Sequence, residues 1–236
     1  MSIWVRISDF VTGRAGNPFG ALVEQVRTVF AGDPETRARV AFSVAMIALS
    51  AKMAKADGVV TVDEVDAFRE IFEIPDKDAG RVAALYNLAK QDVAGYHAYA
   101  SQLASLCGSG RPDCPILRDI LDGLFHIAKA DGLIHDKELT FLADVAAIFG
   151  IGPAEFDRLK ARHLDGGAAD PWRILGLSPD TSYQEARRAY LALVRDNHPD
   201  TMAARGVPEE FFGIAHERIA AINAAWDAVA PSLRRQ

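Results

Sequence analysis

Apolar residues recur at three- and four-residue spacings along most of this chain, and no segment shows a sustained two-residue alternation. The first spacing keeps side chains on one face of a helix, whereas the second would mark a strand, so the fold class expected is all-α. Between Arg39 and Lys52 the run Val40–Ala51 carries no charge at all. It is too short for the roughly 20 apolar residues that span a bilayer, and is expected to be a buried core helix. Near the N-terminus Ile3, Trp4, Ile7, Phe10 and Val11 form an apolar stripe, with Arg6 and Arg14 close by. That stripe is expected to pack on the domain behind it, the alternative being weak peripheral contact with a membrane surface.

The C-terminal third predicts two antiparallel helices. Ala186, Ala189, Tyr190 and Leu193 place one stripe on residues 183–196, and Ser182 with Glu185 has the spacing of a capping box. Pro199 disfavours the α region at His198, so this helix should stop at or just before Asn197. His198 and Asp200 then stand at a turn, followed by a loop of small residues. Pro208-Glu209-Glu210 opens the second helix, with Ala215, Ile219, Ile222 and Trp226 on one face. The two stripes should bury against each other, with Ile174, Leu175 and Leu177 closing the base.

A repeat occupies the middle of the chain. Residues 54–64 read AKADGVVTVDE and residues 128–138 read AKADGLIHDKE, each between two apolar helical segments. Two helix–turn–helix halves about a pseudo-twofold axis are expected. Asp57-Gly58 to Glu64, and Asp131-Gly132 to Glu138, match the second half of a calcium-binding EF-hand loop. The first half fails, because Met53, Lys55, Ile127 and Lys129 stand where ligands are needed. Gly58 and Gly132 are instead expected to end helices in the left-handed conformation, with Thr61 and Glu64 capping the next helix. A cation held by Asp57, Asp63, Asp131 and Asp136 is the alternative, so no metal is assigned and Asp57, Glu64, Asp131 and Glu138 are kept as candidates.

Composition narrows the function. The chain has 236 residues, half of them hydrophobic, and a formal net charge of −6, which argues against a general nucleic-acid binder. Cys107 and Cys114 lack the spacing and neighbours of a zinc site and are expected to be reduced thiols. There is no nucleophile elbow, phosphate loop or HExxH motif, and an enzyme is not expected. His198-Pro199-Asp200 is itself a poor active site: no Ser, Cys or second His lies nearby, and two ligands fall short of the three or four zinc takes.

The wider order changes the meaning of that tripeptide. "DPWRILGL" at 170–177, the A-x-x-A-Y helix, HPD at 198–200 and the I-x-x-A-W helix resemble, in sequence order, the J domain of the DnaJ co-chaperone family. The resemblance implies that His198, Pro199 and Asp200 dock on a DnaK-type ATPase chaperone and trigger its ATP hydrolysis. Arg187 and Arg188 match basic positions of the helix before the turn, where charge would steer the partner. Arg195 shares a face with Arg188, but Leu191 interrupts the basic stripe and Asp196 precedes the turn, so this face is less basic than the family's usual pattern.

The paired A-K-x-D-G units resemble the TerB family, a compact helical bundle named for tellurite resistance. TerB followed by a C-terminal J domain is the layout of the DjlA type of co-chaperone, which "HPDTMAARGVPEEF" also resembles. That type typically begins with a membrane-spanning segment, which is not expected here. The domains expected are an N-terminal amphipathic segment over 1–30, a TerB-like domain over 31–164, a linker over 165–169 and a J domain over 170–236. The function expected is a cytoplasmic co-chaperone without a cofactor, whose TerB-like domain binds an unknown protein. The rival is a cation-responsive stress sensor in which the J domain is secondary.

Overall fold

The computed structural model describes residues 5, 7, 34–56, 68, 74–91, 95–106, 114–129, 132–164 and 170–234. Every regular element among them is helical, as the three- and four-residue spacing requires. The helices are α1 (Pro34–Ala56), α2 (Asp76–Gln91), α3 (Tyr96–Leu106), α4 (Pro115–Ala128), α5 (Asp136–Ile148) and α6 (Pro153–Leu164), followed by α7 (Pro171–Leu175), α8 (Tyr183–Asp196), α9 (Pro199–Ala204) and α10 (Phe212–Leu233).

Helix α1 is the axis of the first unit. Every residue from Val40 to Ala51 is buried, so the uncharged run is a helix covered on all sides rather than an amphipathic one. Helices α2, α3, α4 and α5 pack around it. Ile7 is also buried in this core, in line with the N-terminal stripe packing inward at that position; Ile3, Trp4, Phe10 and Val11 lie outside the described residues. Asp57, Glu64, Asp131, Cys107 and the linker 165–169 lie outside them too.

The second copy of the repeat shows its local logic. Gly132 has φ of +93° and its N–H donates to the Lys129 carbonyl at 2.8 Å, closing the turn after α4. Glu138, one of the four metal candidates, is buried in the first turn of α5 and accepts the His135 backbone N–H at 2.9 Å. It caps a helix here. Among the described residues no three His, Cys, Asp or Glu side chains gather as a metal site. One expectation is corrected: Cys114 is disulfide-bonded rather than a free thiol.

The C-terminal hairpin has its own small core. Ile174 and Leu175 of α7, Ala186 of α8 and Ile222, Ala225 and Val229 of α10 meet there, against Leu177, Tyr190, Leu193 and Trp226. Tyr190 stacks on Trp226 with ring centroids 4.7 Å apart, and its hydroxyl donates to Asn223 Oδ1 at 3.0 Å. Ala161 of α6 belongs to the same cluster, so the hairpin base is built partly on the bundle.

The other end of the hairpin departs from the expected pattern. The residues after the turn form α9 instead of a loop, and Met202, Val207, Phe211, Ile214 and Ala215 enter the bundle core. Phe211 meets Phe42 of α1 edge to face, centroids 4.8 Å apart. Ala215 thus packs on the bundle rather than on α8. The fold joins the two units because the start of α10 is apolar on a second face.

Gly206 makes the close approach feasible. Its φ is +91°, and a Cβ added there would lie 2.2 Å from the Ala38 Cβ of α1. Gly206→Ala is therefore expected to destabilise the chain by about 1–3 kcal/mol, through overpacking and an unfavourable backbone region. Urea unfolding of the variant against the parent measures this.

Candidate functional site

The turn at 198–200 is built by local chemistry. Ser182 Oγ accepts the Glu185 N–H at 3.3 Å and Glu185 returns a bond to the Ser182 N–H, so α8 starts in the expected capping box. It ends at Asp196, with Asn197 as C-cap, where the proline was expected to stop it. Pro199 then opens α9 as its first residue, a place where a missing N–H costs nothing. His198 is the N-cap of α9, and its Nδ1 accepts the Asp200 N–H at 3.2 Å. Thr201 Oγ1 ties the turn back to the Arg195 carbonyl at 2.9 Å, and Arg205 donates to the Asp196 carbonyl.

This tip is held in place yet open to solvent. The side chains of His198 and Asp200 are 52% and 93% exposed. Arg187, Arg188 and Arg195 are exposed on α8, and Leu191 is half exposed between them. The structure thus brings all six expected docking residues to one end and one outer face of the hairpin. It leaves Leu191 on that face rather than packed against the bundle.

A buried charge cluster, which sequence reasoning missed, stands behind the tip. Arg218 of α10 donates through Nε to Asp122 Oδ2 at 2.8 Å and through Nη1 to Asp119 Oδ1 at 2.7 Å. Its Nη1 also reaches Asn197 Oδ1, the residue before His198, at 2.9 Å. Arg205 contacts Asp119 at 3.3 Å, Arg162 donates to Asp122 at 2.8 Å, and His163 Nε2 lies 3.0 Å from Asp122. Asp119 and Asp122 belong to the bundle helix α4, and Arg218 and Arg205 to the hairpin. One guanidinium therefore links the bundle to the tip. The sequence signal was faint: two carboxylates three residues apart inside the apolar run "ILRDILDGLF".

Electrostatics explains why these ions tolerate burial. Burial alone would raise the Asp122 pKa, but Arg162, Arg218 and His163 outweigh it and hold the carboxyl well below its ordinary 3.8. Arg218 is buried too, yet Asp122 and Asp119 keep it firmly protonated, its pKa pushed above the ordinary value.

His126 lies beside this cluster, its Nδ1 3.3 Å from Glu217. Burial lowers its pKa below the ordinary 6.5; His163 and Lys129 act in the same direction, against Glu217 and Asp122. The unfolded chain therefore binds more protons than the folded one at both groups as pH falls. Stability is expected to be complete above pH 6.5, to decline below it as His126 is forced to charge, and to fall again below pH 3.8 as Asp122 protonates. Thermal unfolding between pH 8 and 3 checks this, and His126→Gln should flatten the first decline only.

The architecture defines a class: an α-helical bundle carrying a helical hairpin with an exposed His-Pro-Asp turn. Residues 43–161 match the family described as tellurite resistance protein TerB. The chain is 25% identical to co-chaperone protein DjlA of Photobacterium profundum, over 80% of this chain and 76% of that one. It is 26% identical to co-chaperone protein DjlA of Escherichia coli K12, over 75% and 74%. With the protein of the same name from Shewanella oneidensis the identity is 32%, over 43% and 44%. No solved structure matches the chain. The protein belongs to the TerB family and is DjlA-like over most of its length.

Proposed function

We propose that this protein is a J-domain co-chaperone that docks on a DnaK-type chaperone and stimulates its ATP hydrolysis. The observation that carries the reading is the His198-Pro199-Asp200 turn, held by its own local hydrogen bonds while its polar side chains face solvent. A polar tip that serves no packing role is available for a partner. Arg187, Arg188 and Arg195 on the adjoining face supply attraction for an acidic surface, and the relatives named DjlA support the same role. The TerB bundle serves as the interaction module that places this activity, and the site of action is the cytoplasm, where ATP and such chaperones meet. No helix among the described residues is long and apolar enough to cross a membrane.

The test is ATP hydrolysis by the DnaK-type chaperone with increasing amounts of the full chain. A dose-dependent rise supports the reading, and a flat response rejects it. The exposed face makes a second, quantitative prediction. Because Leu191 is half exposed, Leu191→Lys completes a basic stripe without disturbing a core. It should speed association with the chaperone at low salt several-fold and steepen the salt dependence, since surface charge acts mainly on the on-rate. Stopped-flow association at two salt concentrations reads this directly.

A further inference from the structure

The two residues that lead into His198 are gripped by side chains from further along the hairpin. Helix α8 ends in carbonyls that have no partner inside the helix, and the Asp196 carbonyl accepts a bond from Arg205. Asn197 Oδ1 accepts Arg218 Nη1 at 2.9 Å, while its Nδ2 donates to the Leu193 carbonyl at 2.6 Å. The Asn197 amide is thus fixed through both of its polar atoms, one residue before the imidazole. Both arginines turn on a single bundle carboxylate. Asp119 of α4 is 1% exposed; its Oδ1 accepts Arg218 Nη1 at 2.7 Å, and its Oδ2 lies 3.3 Å from Arg205 Nη1.

A cluster that only clamped the bundle to the hairpin would need no donors on residues 196 and 197. Here each guanidinium bridges two places: Arg205 runs from Asp119 to the Asp196 carbonyl, and Arg218 from Asp119 to Asn197. A planar fork makes such a bridge stiff, which a single ammonium does not. Asp122 is different, because it also holds Arg162 and His163, which pair with it rather than with the tip. The local bonds of Asp200 and Thr201 close the turn, but they do not aim it relative to the bundle. A docking constellation works only when its supporting groups hold it within roughly 0.5 Å of the productive geometry.

We propose that Asp119, a residue of the TerB bundle, is a positioning residue for the docking tip: through Arg205 and Arg218 it fixes the segment from which His198-Pro199-Asp200 projects. The proposal rests on the co-chaperone reading above and makes the bundle part of the trigger. The test uses the full-length chain carrying Asp119→Asn or Arg205→Lys, at a temperature where circular dichroism shows it folded. Arg205→Lys keeps a cation near Asp119 and loses the fork to the Asp196 carbonyl. Titrated against the DnaK-type chaperone, both variants should lower maximal ATPase stimulation at least fivefold. The half-saturating concentration should stay within twofold, because Arg187, Arg188 and Arg195 are untouched. Arg162→Gln, which weakens the same cluster on the side of Asp122, should leave the maximum within twofold. Amide exchange gives a readout that needs no chaperone. The Met202 N–H, bonded to the His198 carbonyl at 3.0 Å, should exchange at least tenfold faster in both variants. The Ala186 N–H, bonded to the Ser182 carbonyl at 2.9 Å at the far end of α8, should not change. An unchanged maximum in the folded variants overturns the proposal, as does an equal loss in Arg162→Gln or an equal rise in exchange at Ala186. If Asp119→Asn does not fold, Arg205→Lys decides. If the parent chain itself gives no stimulation, the co-chaperone reading fails, and exchange at Met202 still decides whether Asp119 braces the tip.

Discussion

His198→Gln is expected to abolish stimulation of the chaperone's ATPase, a loss of at least tenfold, while the protein stays folded. The imidazole is half exposed, its Nδ1 accepts the Asp200 N–H as an N-cap contact, and it lies 3.5 Å from the Asp200 carboxylate. Losing such a cap costs about 1 kcal/mol, which for a chain of this size lowers Tm by only ~2–4 °C. Function and stability therefore separate. Steady-state ATPase measurements and a thermal melt on the same preparation give both readouts. Equal stimulation by the variant and the parent would show that the tip is not the docking element. A collapse of Tm would show that His198 holds the fold instead.

Arg218→Met is expected to act through the fold instead, with a large loss of stability although the exposed tip residues are unchanged. The substitution removes the guanidinium that pairs with Asp119 and Asp122 and supports Asn197. Breaking a buried ion pair by deleting one partner costs about 3–5 kcal/mol, because the other charge stays buried without compensation. Arg205, Arg162 and His163 still contact the carboxylates, so the lower end of that range is expected. Tm should fall by roughly 10 °C, and ATPase stimulation should fall with it because Asn197 no longer has its anchor. Adding Asp122→Asn removes one uncompensated charge and should recover part of the stability. Arg218→Lys should not restore the parent value, since one ammonium cannot replace a fork that reaches three residues at once. Unchanged urea unfolding for Arg218→Met would mean that the cluster contributes nothing to holding bundle and hairpin together.

Much of the architecture was legible because it rests on short-range rules. The uncharged Val40–Ala51 run became a helix buried on all sides, and Ser182 with Glu185 opened α8 in a capping box. Pro199 stopped α8 where its ring required, and Tyr190 found Trp226 across the hairpin. Each depends on residues within a few positions, or on matching apolar stripes of two adjacent helices. Glu138 was legible in part: its spacing suggested either a ligand or a cap, and His135 in β conformation shows that it caps.

The union of the two units was not legible. Ile214 and Ala215 have the same apolar character as Ile222 and Trp226, and spacing alone put Ala215 on the α8 side. Only the tertiary structure shows that the start of α10 turns toward α1, admitted by Gly206 against Ala38. The pairing of Asp119 and Asp122 with Arg218 spans 99 and 96 residues, a separation at which no periodicity carries information. The sequence by itself determined an all-helical chain, its internal repeat and a hairpin with an exposed His-Pro-Asp turn, because backbone sterics and helix periodicity act locally. The tertiary structure decided how that turn is braced, because burying a guanidinium requires carboxylates that only the folded chain brings within reach.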